Sequence, residues 1–262
     1  MKMLISNEWN RMIKGKEFWI TLFIGCGISV WHFVQNVLPM QNVVNGLPYN
    51  AYVAWIGASA RAMQSYWFFL ILPLLAVIPY AGTVYDDVQS GYYRSIMLRS
   101  SRKKYFVSKG IMVILSGGIC VSVPLILNFV LTATQLPLLR PDPYIAIGPA
   151  TSELGCEFFY QHPFAYTMMY LLIDFMAGGM IALAAATLCY MVSHKLLALL
   201  LPYVVYYGLY SLCGIFNTHI YAPNFFLLPG MGIEHINTVL LMIAVTVFIF
   251  AGYAWKEYKF EG

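Results

Sequence analysis

Charge is what this 262-residue sequence has least of: 15 Lys and Arg plus 11 Asp and Glu make up 10% of the chain, while 60% is apolar. Soluble domains carry about 25% charged residues. The scarcity is concentrated, since no Asp, Glu, Lys or Arg occurs from Phe18 to Ala60, from Gly110 to Leu139 or from Leu196 to Ile233. A membrane span needs about 20 mainly apolar residues, so an ordinary soluble domain is excluded. No stretch between the apolar runs is long and polar enough to build a separate soluble core.

Several chemical signatures are missing as well. There is no G-x-x-x-x-G-K-[ST] phosphate loop, because Gly15-Lys16 runs into Glu17 without the upstream glycine, so ATP-driven work would need a second subunit. No H-E-x-x-H helix and no G-x-S-x-G elbow occur, and Glu234-His235 with His219 match no standard metal spacing. The expectation is no metal and no cofactor held by this chain. The five cysteines, Cys26, Cys120, Cys156, Cys189 and Cys213, are scattered without paired spacing and read as small apolar packing residues. Leu22 to Cys26 is a poor lipoprotein box behind Lys14 and Lys16, and reads as part of a retained span. Tandem repeats and low-complexity segments are absent.

What remains predicts an all-α integral membrane protein, one transmembrane domain over residues 1–262. Six spans are expected, at about Phe18 to Asn36, Tyr66 to Val84, Gly110 to Leu131, Phe164 to Met191, Leu196 to Ile215 and Ile236 to Trp255. Thirteen of the 15 basic residues fall on the side holding both termini, the second-to-third connection and Lys195, leaving only Arg61 and Arg140 opposite. Short loops rich in Lys and Arg stay cytoplasmic, so the expected location is the cell membrane, multi-pass, with both termini cytoplasmic. Before the first span, Ile5, Trp9, Met12 and Ile13 recur at helical spacing with Lys2, Asn7, Arg11 and Lys14 elsewhere, which predicts an amphipathic interfacial helix over residues 1–16. Prolines at 73, 79, 124 and 202 lie inside spans, and Gly178, Ala182 and Ala186 repeat small residues for close helix packing. The apolar connection from 216 to 235, broken by Pro223, Pro229 and Gly230, reads as a segment that dips back towards the bundle.

The segment from Tyr85 to Lys109 carries six basic residues in the sixteen positions from Arg94 onward, mixed with aromatics. Its order resembles the permease subunits of type 2 ATP-binding cassette (ABC) exporters: an acidic residue after the second span (Asp86 or Asp87), then Gly91, then a basic and apolar helix with Arg94, Ile96 and Leu98, then Ser101-Arg102, Tyr105 and Lys109. Asp86-Asp87 stands where a Glu is more usual, and the outer loop before the last span is short. The resemblance implies a cytoplasmic coupling loop over residues 85–109 and a pairing with a second permease copy, a homodimer. It also implies two cytoplasmic ABC ATPase subunits that hold ATP and Mg, and no role for nucleic acid. The residues placed at the ATPase contact are Asp86, Asp87, Gly91, Tyr92, Tyr93, Arg94, Ile96, Met97 and Arg102. The expected cargo, from the apolar and aromatic spans, is amphipathic or lipophilic, such as an antimicrobial peptide or drug.

Two further features lie within the spans. Asp174 is the one clear intramembrane carboxyl, and it reads either as a pathway lining or cation partner, or as a structural hydrogen-bonding group. Tyr203, Tyr206, Tyr207 and Tyr210 follow i, i+3, i+4 and i+7, and read either as a cargo-facing stripe or as a subunit seam. The competing functions are a membrane enzyme using Asp174, His162, His219 or Glu234, and an ATP-independent carrier or scaffold.

Overall fold

The structure, a computed structural model, describes residues 2–42, 50–59, 62–98, 101–141, 155–218, 221–229 and 236–259. Among these, helices account for the regular secondary structure, and six are long and apolar enough to cross a membrane: Lys16–Met40, Met63–Gln89, Arg102–Gln135, Pro163–Cys189, Lys195–Ile215 and Asn237–Trp255. The six expected spans are all present.

Their internal form follows from the breakers in the sequence. Helix α1 (Lys2–Lys14) ends at Gly15, whose backbone is extended, and α2 (Lys16–His32) starts directly after it. The first span then widens into a π-helical turn at Phe33–Val37 and tightens into a 3-10 turn at Leu38–Asn42. The second span is two helices: α4 (Met63–Val77) and α5 (Gly82–Gln89) are separated by a turn at Pro79, which has no N–H to continue the ladder. It follows the short helix α3 (Ala51–Ala54). Helix α6 (Tyr92–Met97) links α5 to the 34-residue α7 (Arg102–Gln135). After α8 (Cys156–Gln161) come α9 (Pro163–Cys189), α10 (Lys195–Ile215), α11 (Pro223–Leu227) and α12 (Ile236–Lys259).

Helices α7 and α9 form the axis of the bundle, and glycines permit their contact. A Cβ added at Gly117 would come 2.7 Å from Ala182 Cβ and 2.8 Å from Gly178 O, and one at Gly178 would come 2.9 Å from Val121 Cγ2. The small-residue repeat through Gly178 and Ala182 thus meets a second glycine pair, Gly117-Gly118, on α7. The outer helices α10 and α12 instead expose broad apolar faces, including Leu200, Val204, Leu212, Leu241, Val247 and Phe248.

The first and last helices, α1 and α12, meet α7 at one end of the bundle. The α1 residue Glu8 reaches Lys109 near the start of α7, and Tyr253 near the end of α12 donates to Phe106 O at 2.9 Å. At the opposite end the connections turn inward. Asn50 caps α3 by accepting from Val53 N, Trp55 and Ile56 are fully buried, and Ile56 N donates to Asn128 Oδ1 at 2.7 Å. Residues 221–229 tuck in similarly: Leu227 and Leu228 are buried, and Tyr166 Oη donates to Pro229 O at 3.4 Å. Residues 230–235 of that connection lie outside the described residues. Cys156, in a polar stretch of sequence, is buried at the start of α8.

Gly178→Leu should lower stability by about 1–3 kcal/mol or more through overpacking against α7. Gly27→Leu, at a site with nothing within 4 Å of an added Cβ, should leave it nearly unchanged. Thermal unfolding of the two purified variants in detergent compares them.

Candidate functional site

At the end of the bundle where α1 and α12 meet α7, three charged side chains, Glu8, Asp87 and Lys109, are buried together, and Arg11 joins them from a half-exposed position. Lys109 is 0% exposed, and its Nζ lies 2.9 Å from Glu8 Oε2 and 2.8 Å from Asp87 Oδ2. Arg11 Nη1 lies 2.6 Å from Asp87 Oδ1. Two tyrosines complete the shell: Tyr105 Oη donates to Asp87 Oδ2 at 2.9 Å, and Tyr80 Oη donates to the Glu8 carboxylate. The Lys109 ammonium also stands 4.7 Å above the Tyr80 ring, a favourable cation–π position.

The arithmetic of this cluster explains its survival in an apolar bundle. Two cations face two anions, so the cluster is neutral as a whole, and Tyr80 and Tyr105 add one hydroxyl donor to each carboxylate. Isolated buried charges cost far more than paired ones. Burial pulls the Arg11 pKa down, but the charge and hydrogen bond of Asp87, with Glu8 beyond, outweigh it and raise the pKa above the ordinary arginine value. The cluster ties together α1, the turn before α5, α5 itself and α7.

Helix α6 stands on this base. Gly91 has φ 70°, with nothing within 4 Å of an added Cβ, so glycine is required there by backbone conformation and not by space. The turn it makes sets α6 beside α1, with the Arg11 guanidinium 5.3 Å from the Tyr92 ring centre. Tyr93 and Ile96 pack half-buried against the core beneath. Tyr92, Arg94, Ser95 and Leu98 are exposed, Leu98 at 90%. Arg94 is held in place by its neighbour: Nε donates to Tyr93 Oη at 3.0 Å. On the other flank, Asp86 pairs with Lys195 at 2.6 Å and Tyr85 Oη donates to Ser193 O, fastening α5 to the start of α10.

The residues predicted from the sequence therefore separate into three groups. Tyr92 and Arg94 face outward on α6, with Tyr93 and Ile96 as its underside; Met97 closes the helix, and its side chain lies outside the description. Asp87 is a buried member of the charge cluster, whereas Asp86 is an exposed partner of Lys195. Arg102 opens α7 with its guanidinium 5.8 Å from the Phe106 ring centre. Sequence reasoning missed Glu8 and the Tyr80 hydroxyl. The available signal for Glu8 was its place on the Ile5–Met12 stripe, at i+3 from Ile5, where an acid on an apolar face calls for a partner.

The tyrosine stripe is also divided. Tyr203 stacks on Tyr207 with ring centres 6.2 Å apart, and Tyr210 lies 6.2 Å from Tyr207 and 6.4 Å from Tyr66 of α4. Tyr206 turns inward, buried, and donates to Phe69 O at 3.0 Å. That carbonyl is the one Pro73, four residues on, leaves without an amide donor. Asp174 is 0% exposed, with Tyr206 as its electrostatic neighbour and no hydrogen-bond partner for either carboxyl oxygen among the described residues.

His162, at the start of α9, is twelve residues from Asp174, roughly 18 Å along a helix, so these two are not brought together. His219, Glu234 and His235 lie outside the described residues. Among the described residues no group of three His, Cys, Asp or Glu is arranged to hold a metal ion. Comparison of the chain with protein-family models, curated proteins and solved structures found no match.

Lys109→Ala should cost about 3–5 kcal/mol, because it strands two buried carboxylates. Lys195→Ala, which breaks an exposed pair, should cost about 0–1 kcal/mol. Thermal unfolding in detergent measures both.

Proposed function

We propose that this chain is the membrane-spanning permease subunit of an ATP-driven ABC exporter. In this reading it works as a pair of identical copies, with two separate ATPase subunits supplying ATP and Mg, and moves an amphipathic or lipophilic cargo across the cell membrane. The observation that carries the reading is α6: a short helix with Tyr92, Arg94, Ser95 and Leu98 turned outward, mounted on a buried, charge-balanced base.

The physical argument concerns force. A surface loop dissipates a push, because its residues rearrange locally. Helix α6 is joined to α5 by a single glycine turn, and α5 and α7 are bonded to each other and to α1 through Asp87, Lys109, Glu8 and Arg11. A displacement applied to α6 therefore reaches two spans together. The exposed Arg94 and aromatic rings supply ion-pair and stacking contacts suited to a groove on a soluble partner. The basic bias supports a cytoplasmic position for that surface, where ATP is. Nothing in the chain itself has the phosphate-binding loop, which is consistent with hydrolysis in a partner.

Arg94→Glu should reduce partner-stimulated ATP hydrolysis and transport by about tenfold, the effect of losing roughly 1.4 kcal/mol at an interface, with membrane insertion intact. Normal stimulation would remove Arg94 from the contact. Sidedness is read separately with Ser95→Cys in a background lacking the native cysteines. An impermeant maleimide should label it only after the cells are permeabilised. The buried Cys156 is a poor reporter for this purpose.

A further inference from the structure

Asp174 is the acid that the rest of the bundle does not account for. It lies eleven residues past Pro163, roughly 16 Å along α9, on the buried stripe shared by Thr167, Tyr170, Leu171 and Gly178. A structural carboxyl in such a place accepts or donates hydrogen bonds, as the buried carboxylates of Glu8 and Asp87 do. Asp174 has both oxygens enclosed and without a partner among the described residues.

Among the described residues, no charged group is paired with Asp174. Of the elements packed on α9, α4 contains no Asp, Glu, Lys or Arg, and neither does α10 after Lys195. The charged residues of α5 and α7 are Asp86, Asp87, Arg102, Lys103, Lys104 and Lys109, all at the end where α1 and α12 meet α7. Those of α12, Lys256, Glu257 and Lys259, are at its last turn, and Glu157 of α8 is bonded to Gln161. Among the other titratable groups, Tyr206 of α10 is the neighbour of Asp174, and Tyr66 of α4 is engaged with Tyr210. On α7, Tyr105 is bonded to Asp87 and Cys120 faces Phe18 O of α2, while Tyr253 of α12 is bonded to Phe106 O. A metal cation would require several oxygen or nitrogen donors, and among the described residues no group of three His, Cys, Asp or Glu is arranged to hold one. An unpaired carboxylate in an apolar bundle is heavily penalised. The species that suits this donor set is a proton.

Access to it has a definable gate. Tyr206, the electrostatic neighbour of Asp174, is bonded to Phe69 O of α4 at 3.0 Å, and both helices carry an internal proline, Pro73 in α4 and Pro202 in α10. Helix α10, like α12, is loosely held: apart from Ala198 and Tyr206 its side chains are partly or fully exposed. We propose that Asp174 is an intramembrane proton-binding site, which holds a proton while enclosed and exchanges it when α10 parts from α4 at the Tyr206–Phe69 bond. This property belongs to the chain alone and does not depend on an ATPase partner.

The test uses the full chain in liposomes and dicyclohexylcarbodiimide, an apolar reagent that attacks protonated carboxyls, with the modified residue located by peptide mass spectrometry. Asp174 should be modified at neutral pH, at a rate that falls about tenfold per pH unit once the group ionises and is unaffected by Na⁺ or tetraphenylphosphonium. Tyr206→Phe should speed the modification several-fold. Asp174→Asn provides the blank, and misfolding of that variant leaves the wild-type reading intact. Absence of modification at Asp174 in both wild type and Tyr206→Phe overturns the site, as does a rate independent of pH. Protection by Na⁺ or tetraphenylphosphonium at constant pH also overturns it, in favour of a cation site. An unchanged rate in Tyr206→Phe overturns the gate.

Discussion

The Lys109 ammonium, enclosed between Glu8 and Asp87, is the interaction on which the α1 end of this bundle depends. An ammonium on a long helix that otherwise runs through apolar surroundings has two ways to lower its energy: reach water or find carboxylates. Here it finds two, brought from a helix that precedes the first span and from the lower part of the second. Each of those acids needs a further cation or hydroxyl, and Arg11, Tyr80 and Tyr105 provide them. Four charges and two phenols are thus mutually committed, and their backbones with them. The amphipathic α1 is consequently part of the bundle: its Glu8 and Met12 are buried, while Trp9 stays at the surface.

Elsewhere the bundle solves the polar problem with neutral groups. Each proline inside a helix leaves a carbonyl without its amide donor, and in lipid there is no water to replace it. Tyr206 supplies the donor for Phe69 O across the helices. Asn128 holds Ser29 O through its Nδ2 and Ile56 N through its Oδ1, so one amide ties α2, α7 and the inward-turned segment at 50–57. Ser29 in turn donates to Pro124 O at 2.8 Å. The buried carbonyls of Phe69, Ser29 and Pro124 thus each accept from a side chain of a neighbouring span. Asp174 stands out against them.

The glycines work at two different levels. At Gly117 and Gly178 the requirement is spatial, since backbone meets backbone and a side chain has nowhere to go. At Gly91 the surroundings are open and the requirement is the left-handed backbone, which L side chains adopt at a cost. The first kind sets how closely the central helices approach. The second sets the direction in which α6 leaves the bundle.

The sequence by itself determined the six apolar helices of span length, their approximate limits and the amphipathic helix before them. These depend on local quantities: apolar length, helical periodicity, and the positions of Pro and Gly. It also placed thirteen basic residues on one side, which is a count and needs no fold. Tertiary structure decided which of those charges are buried. Asp86 and Asp87 are adjacent in sequence, yet one is exposed beside Lys195 and the other enclosed by Arg11 and Lys109, because successive helical residues point about 100° apart. The same geometry separated Tyr206 from Tyr203, Tyr207 and Tyr210, although all four share a periodic stripe. Which edge of a stripe faces a neighbour depends on helix rotation, and rotation is fixed by packing between spans far apart in the chain, where sequence periodicity has nothing to read.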